Sequence, residues 1–153
     1  MIYLKVVLLF YILLKEGIYM LQAHSGNIAV TANTNIVFNN TDVETGCVAL
    51  LSNGGTTVKL NRPGIYRVDF NAYGSSTEAG SIGAQLQVDG VNNNQASSVA
   101  TTSAGSPQAI GFSTLIKVGR YCPCRSVSKT VNVVYTGSAG TLTLANIIVS
   151  KIA

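Results

Sequence analysis

From Asn27 onward, clusters of turn-forming residues interrupt this chain at such short intervals that no helix of ordinary length fits between them. The clusters are Asn39-Asn40, Asn53-Gly54-Gly55, Arg62-Pro63-Gly64, Asp89-Gly90, Asn92-Asn93-Asn94, Gly105-Ser106-Pro107 and Gly137-Ser138-Ala139-Gly140. Gly and Asn accept positive φ, Pro fixes φ, and Asn, Asp and Ser bond their own backbone, so each cluster can reverse the chain. Strands are predicted between them at residues 28–31, 36–38, 48–51, 57–60, 65–72, 82–88, 95–101, 109–118, 130–136 and 142–152. None of these runs has helical periodicity over ten or more residues. The expectation is an all-β chain, a ten-stranded antiparallel sandwich or jelly roll. With 153 residues there is room for one domain and one sizeable core.

Alternation gives several strands an inner and an outer face. Tyr66, Val68 and Phe70 share one face, and Arg67, Asp69 and Asn71 the other. Ile82, Ala84, Leu86 and Val88 alternate with Gly83, Gln85 and Gln87. This is the pattern of an antiparallel sheet with one wet face. The last strand departs from it. Strict alternation puts Leu142, Leu144, Ile148 and Ile152 on one face and Ala145, Ile147 and Val149 on the other. Val131, Val133 and Tyr135, with Val134 opposite, repeat the feature less strongly. A sandwich buries only one face of each sheet, so a loop, the N-terminal segment or a second subunit must cover the other. The subunit reading places an interface at Leu144, Ile147, Ile148 and Val149.

Residues 1–22 form a separate apolar segment ahead of a domain at 23–153. Nine consecutive apolar residues, 6–14, lie between Lys5 and Lys15-Glu16. A stable membrane span needs about 20. The run has the character of a signal-peptide core or anchor, but a cut after Ala23 would leave Leu21 where a small residue belongs. A third reading is that Lys15-Glu16-Gly17 is the translation of AAG-GAG-GGN, a bacterial ribosome-binding sequence two codons before Met20. Residues 1–19 would then be an upstream read-through, with the true start at Met20.

Charge and chemistry exclude more than they identify. Charged residues make up 10% of the chain, and its 10 Lys and Arg are scattered rather than clustered, so no nucleic-acid footprint is expected. The single His, His24, precedes Ser25-Gly26 in an expected flexible start, and no nucleophile–base pair can be built around it, so no enzyme is expected. The Gly-rich turns lack the Lys and helix of a phosphate loop. Asp42 and Glu44 lack calcium-loop spacing. The 3 cysteines cannot all pair within one chain. Cys122 and Cys124 flank Pro123, too close to bridge easily, so a disulfide would join Cys47 to Cys122 or Cys124. The plainer alternative is a buried Cys47 thiol and two loop thiols. A metal at Cys122 and Cys124 would need further ligands, such as His24 or those of a neighbouring subunit. No cofactor is expected.

Leu60-Asn-Arg-Pro-Gly-Ile-Tyr-Arg-Val-Asp-Phe70 resembles the Pro-Gly-x-Tyr-x-hydrophobic-x-aromatic segment of C1q- and tumour-necrosis-factor-like jelly rolls. The resemblance implies a turn at Pro63-Gly64 and burial of Tyr66, Val68 and Phe70. Ala84-Gln-Leu-Gln-Val-Asp-Gly90 is similar to the following strand and hairpin, and the closing strand to the family strand near the three-fold axis. Phe38-Asn39-Asn40 before Gly46-Cys47, Gly111-Phe-Ser-Thr-Leu115, and then Cys122-Pro123-Cys124 resemble a phage and prophage branch of Gram-positive bacteria. The same fold tips spore-surface collagen-like proteins, but no collagen run or heptad is present here. The resemblance implies a non-enzymatic homotrimer on a virion, a head fibre, capsid decoration or tail-associated domain. Its partners would be itself, other virion proteins and a host cell-surface glycan. It would be assembled in the bacterial cytoplasm and displayed on the virion surface, or be extracellular. The alternative is a carbohydrate- or receptor-binding module of a bacterial or spore surface. Loops 74–81, 92–94 and 121–128, with Tyr73 and Tyr121 for sugar stacking, are the candidate contacts.

Overall fold

The structure is a computed structural model and describes residues 19–121, 125–126 and 128–153. Its strands are β1 (Met20–Val30), β2 (Thr34–Asn35), β3 (Asn40–Glu44), β4 (Ala49–Ser52), β5 (Thr57–Leu60), β6 (Gly64–Ser76), β7 (Gly80–Val88), β8 (Val91–Thr102), β9 (Gln108–Val118), β10 (Arg120–Tyr121), β11 (Arg125–Ser126), β12 (Lys129–Tyr135) and β13 (Gly140–Lys151). Eleven of them form two antiparallel sheets. Sheet A has the order β3-β1-β13-β6-β9 and sheet B the order β4-β5-β12-β7-β8, with β2 paired to β12. β10 and β11 make a separate small hairpin. The chain is thus an all-β antiparallel jelly roll. No helix among the described residues is long and apolar enough to cross a membrane.

The predicted turns perform as their residue types require at two places. Asp89 and Gly90 both take positive φ, 51° and 78°, the geometry that joins β7 to β8 with the twist of the strands. Gly64, with φ 148°, opens β6, and a Cβ there would lie 2.2 Å from the Ala153 carbonyl oxygen. The C-terminus is therefore packed against the Pro63-Gly64 turn, where the Ile65 N–H donates to that same oxygen at 2.8 Å.

The core is filled from both sheets. Tyr66, Val68, Phe70, Leu142, Ile147 and Val149 of sheet A meet Leu60, Ile82, Leu86, Val131, Val133 and Tyr135 of sheet B, all buried. Phe70 sits edge-on to Phe38 at 6.4 Å and tilted on Phe112 at 5.2 Å. The Tyr66 hydroxyl donates to the Arg62 carbonyl at 2.7 Å, and the Tyr135 hydroxyl to the Ser138 carbonyl at 2.6 Å. Burial raises the ionisation of both tyrosines above their usual range, and for Tyr66 the Arg62 hydrogen bond and charge partly oppose it.

Four strand assignments change. The strand predicted at residue 28 begins at Met20, because Leu21, Ala23 and Ser25 alternate inward and pair along β13. Residues 36–38 form no strand. Ile36 and Phe38 are buried, and each makes a single backbone bond, to Val133 and Gly55. Asn40, read as part of a turn, starts the edge strand β3. The Asn92–Asn94 cluster, also read as a turn, lies within β8. Polar composition marks both β3 and this part of β8 as solvent-facing edges, and composition alone does not separate an edge strand from a turn.

Candidate interaction surface

The outer face of sheet A is built by the register of four strands. Its rows, crossing β1, β13, β6 and β9, are Met20·Ser150·Arg67·Leu115, Gln22·Ile148·Asp69·Ser113, His24·Asn146·Asn71·Gly111 and Gly26·Leu144·Tyr73·Ala109. One extra residue in β13, between Leu142 and Leu144, breaks the alternation assumed from sequence. This bulge lets Leu142 point inward with Ala145, Ile147 and Val149 while Leu144 points out. The four-residue interface expected on β13 is therefore corrected. Ile147 and Val149 belong to the subunit's own core, at 1% and 0% exposure, and Leu144 and Ile148 remain on the outer face.

That face carries an apolar patch within a neutral frame. Tyr73 (45%), Leu144 (44%), Leu115 (60%) and Ile152 (55%) are four of the six exposed large hydrophobic residues described. Ile148 and Ile65 add partly exposed surface. Two polar contacts hold side chains on and beside the face, and Lys117 of β9 has no ion pair among the described residues. Arg67 Nε lies 2.9 Å from Asp69 Oδ2 on the same strand, and His24 Nδ1 lies 2.7 Å from Asp42 Oδ2 of β3. Between Ile148 and Leu144 runs the polar row His24·Asn146·Asn71·Gly111. The patch is of the kind that marks association, because covering it removes apolar surface from water.

The other sequence candidates fall elsewhere. Tyr66, Val68 and Phe70 are inward, and Pro63-Gly64 forms the turn before β6. His24 is not in a loose start but in mid-strand, held by Asp42, a pairing across 18 residues that local sequence does not display. Cys47 is exposed in a turn with φ 50°, not buried. Its pairing with Cys122 or Cys124, any metal at those two, the ring of Tyr121 and the character of residues 1–18 lie outside the described residues. Among the described residues, no three His, Cys, Asp or Glu converge on a metal position. Tyr73 is in a strand, not at a loop edge, and shares a row with Leu144. Loop 74–81 contracts to a turn at 77–79, which with Ser138 and Ala139 borders a shallow cleft of about 340 Å³. Leu115 is an exposed apolar residue of this face that the sequence reading did not single out. Its signal is a single large apolar side chain on the face of β9 that otherwise presents Ala109, Gly111, Ser113 and Lys117.

No family model and no curated protein matches the chain. Solved structures do match in fold. Eiger TNF from S. frugiperda superposes with a TM-score of 0.70 at 12% identity, covering 89% of this chain and 93% of that one. The globular domain of zebrafish complement 1qA gives 0.64 at 10% identity, with 88% and 98% covered. The vertex protein P5 of phage PRD1 gives 0.54 at 14% identity, with 88% and 96% covered. At such identities the likeness establishes a C1q/TNF-like jelly roll.

Proposed function

We propose that the chain is a non-enzymatic, self-associating display domain of a phage particle, a homotrimer serving as a head fibre or capsid decoration. The observation that carries this reading is the apolar outer face of sheet A. A closed sandwich has no need of Leu144, Ile148, Tyr73 and Ile152 on that side, and their exposure costs solubility unless another copy covers them. The exposed edge of the sandwich supplies a second apolar set, Val91 and Val99 of β8, with Leu115 of the neighbouring β9 at its border. A face meeting an edge is a heterologous contact, and where its rotation closes such contacts form rings, of which a trimer is the smallest. The sequence resemblance to phage and prophage jelly rolls supports the particle, as does the shared fold of a phage vertex protein. Placement on a virion surface or outside the cell follows from the same reading. Other virion proteins would be its fixed partners.

Light scattering on the full chain tests it. A mass of three chains is the expected result, and a monomer across a wide concentration range would sink the proposal. A second reading, a saccharide-binding module, is favoured by the amide-rich outer face of sheet B, where Gln85, Gln87, Asn92 and Asn94 lie together, and it is compatible with display on a particle.

A further inference from the structure

β2 is only two residues long, yet its register on β12 is fixed from both sides. Thr34 pairs with Tyr135 and Asn35 with Val134, while the flanking Asn33 and Ile36 N–H groups donate to the Tyr135 and Val133 carbonyls, each at 2.8 Å. That register sets Asn35, Val134 and Gln85 in one row across the outer face of sheet B. The adjoining row is Asn132·Gln87·Asn92. Between them, and bounded by Asn33 and by Thr136 just past β12, lies a cleft of about 220 Å³. Val134, the outward apolar residue of β12, is 9% exposed and lies between the Asn35 and Gln85 side chains at its base.

The cleft offers hydrogen-bonding groups of both kinds and no charge. Gln87 Nε2 donates to Asn92 Oδ1 at 2.9 Å, and Gln85 Nε2 to Asn94 Oδ1 at 3.3 Å. These bonds hold the glutamine side chains and leave Oε1 of each as an acceptor, with the Asn92 NH₂ group as a donor. The amides of Asn33 and Asn35 and the Thr136 hydroxyl bond no other described group, and each can donate and accept. Asn132 is not part of the site, because its amide donates to the Thr56 carbonyl and the Thr57 hydroxyl at 3.0 and 2.9 Å. A saccharide hydroxyl also donates and accepts, so a vicinal pair of them matches one side-chain amide through its oxygen and its NH₂ group. An ionised ligand would find no counter-charge among these residues. The cleft shares no residue with the outer face of sheet A or with Val91, Val99 and Leu115, the surfaces assigned to association.

We propose that this cleft binds the ring of a neutral saccharide, its C–H face towards Val134 and its hydroxyls on the amides of Asn33, Asn35, Gln85 and Gln87. The site rests on the saccharide-binding reading above, names the ligand class of that reading, and does not depend on trimerisation. The test is a titration of the ¹⁵N-labelled full chain with methyl glucoside, methyl galactoside, methyl mannoside and N-acetylglucosamine. Each is taken to about 50 mM, because a site with no aromatic ring to stack on is expected to bind in the millimolar range. Shifts of the Asn33, Asn35, Gln85, Gln87 and Asn92 side-chain amides with at least one sugar are expected, and the sugar that gives them identifies the preferred hydroxyl pattern. Binding should weaken about tenfold in Asn35→Ala and in Thr136→Val. It should hold in Thr101→Ala, elsewhere on β8 and outside the cleft. Unchanged binding in both cleft variants overturns the site, as does tighter binding of methyl glucuronide than of methyl glucoside. Shifts confined to other residues also overturn it but leave a saccharide-binding module, whereas no shift with any sugar overturns both. A monomeric chain that still binds a neutral sugar through these amides would sink the trimer and leave the site standing.

Discussion

Sheet A and sheet B both contribute to one core, yet their outer faces differ in kind. Sheet A turns Leu144, Ile148, Tyr73 and Ile152 outward, with the Arg67–Asp69 pair among them. Sheet B turns out Gln85, Gln87 and Asn132, with Ser97 and the asparagines of β8. Cross-strand bonds from Gln87 to Asn92 and from Gln85 to Asn94 let those amides satisfy one another at the surface. One face is composed to be covered and the other to stay wet. The fold explains the inner faces, and it is the outer faces that carry the functional difference.

The sharpest break of this comparison uses two adjacent residues of β13. Ile147→Asp buries an unpaired carboxylate between the sheets and is expected to cost more than about 4 kcal/mol, enough to remove the cooperative urea transition. Ile148→Asp and Leu144→Asp place the same charge on the outer face of sheet A. They should keep the far-UV circular dichroism of the parent chain but lower its mass in light scattering to one subunit. Unfolding by Ile148→Asp at low concentration would show that a segment of the same chain covers the face. Next in size is Phe70→Ala, which removes the ring between Phe38 and Phe112 and should cost about 3–5 kcal/mol in urea titration.

A smaller effect is expected at Tyr66. Tyr66→Phe loses the bond to the Arg62 carbonyl and should cost about 1 kcal/mol at neutral pH. Burial holds the folded tyrosine neutral to higher pH than the unfolded one, which ionises near pH ~10. The unfolded chain therefore binds fewer protons above that pH. The stability that Tyr66 contributes is complete below it and is lost as pH rises through the folded pKa. Urea midpoints measured along an alkaline series should fall less steeply in Tyr66→Phe than in the parent. A residual slope is expected from Tyr135, which is shifted in the same direction. Equal slopes in the two proteins would mean that Tyr66 is not desolvated.

Much of the core was legible because β6 and β7 keep strict alternation over long runs. Tyr66, Val68 and Phe70, or Ile82, Ala84 and Leu86, can be placed inward by counting alone. Counting fails where one extra residue enters. The bulge beside Leu142 reversed its face, and the longer bulge of β8 turned a strand segment into an apparent loop. β1 was hidden for a different reason. Gln22, His24 and Ser25 look like a solvated start, and only pairing with β13 on one side and β3 on the other makes them a strand. The candidate surface was half visible. The excess of apolar residues on β13 announced it, but its partners Tyr73 and Leu115 come from strands far away in sequence and are joined to it only by register.

The smallest effect belongs on the wet face. Gln87→Thr replaces an amide on the outer side of β7 with a residue that suits a strand, and it forfeits one exposed side-chain bond to Asn92. Stability should change by no more than about 0.5 kcal/mol, and the mass in solution should not change at all. The substitution also frees the Asn92 side chain, so it should loosen the β8 bulge without touching assembly. If Gln87→Thr instead altered the subunit count, the surface used for association would include sheet B, and the division between a covered face and a wet one would fail.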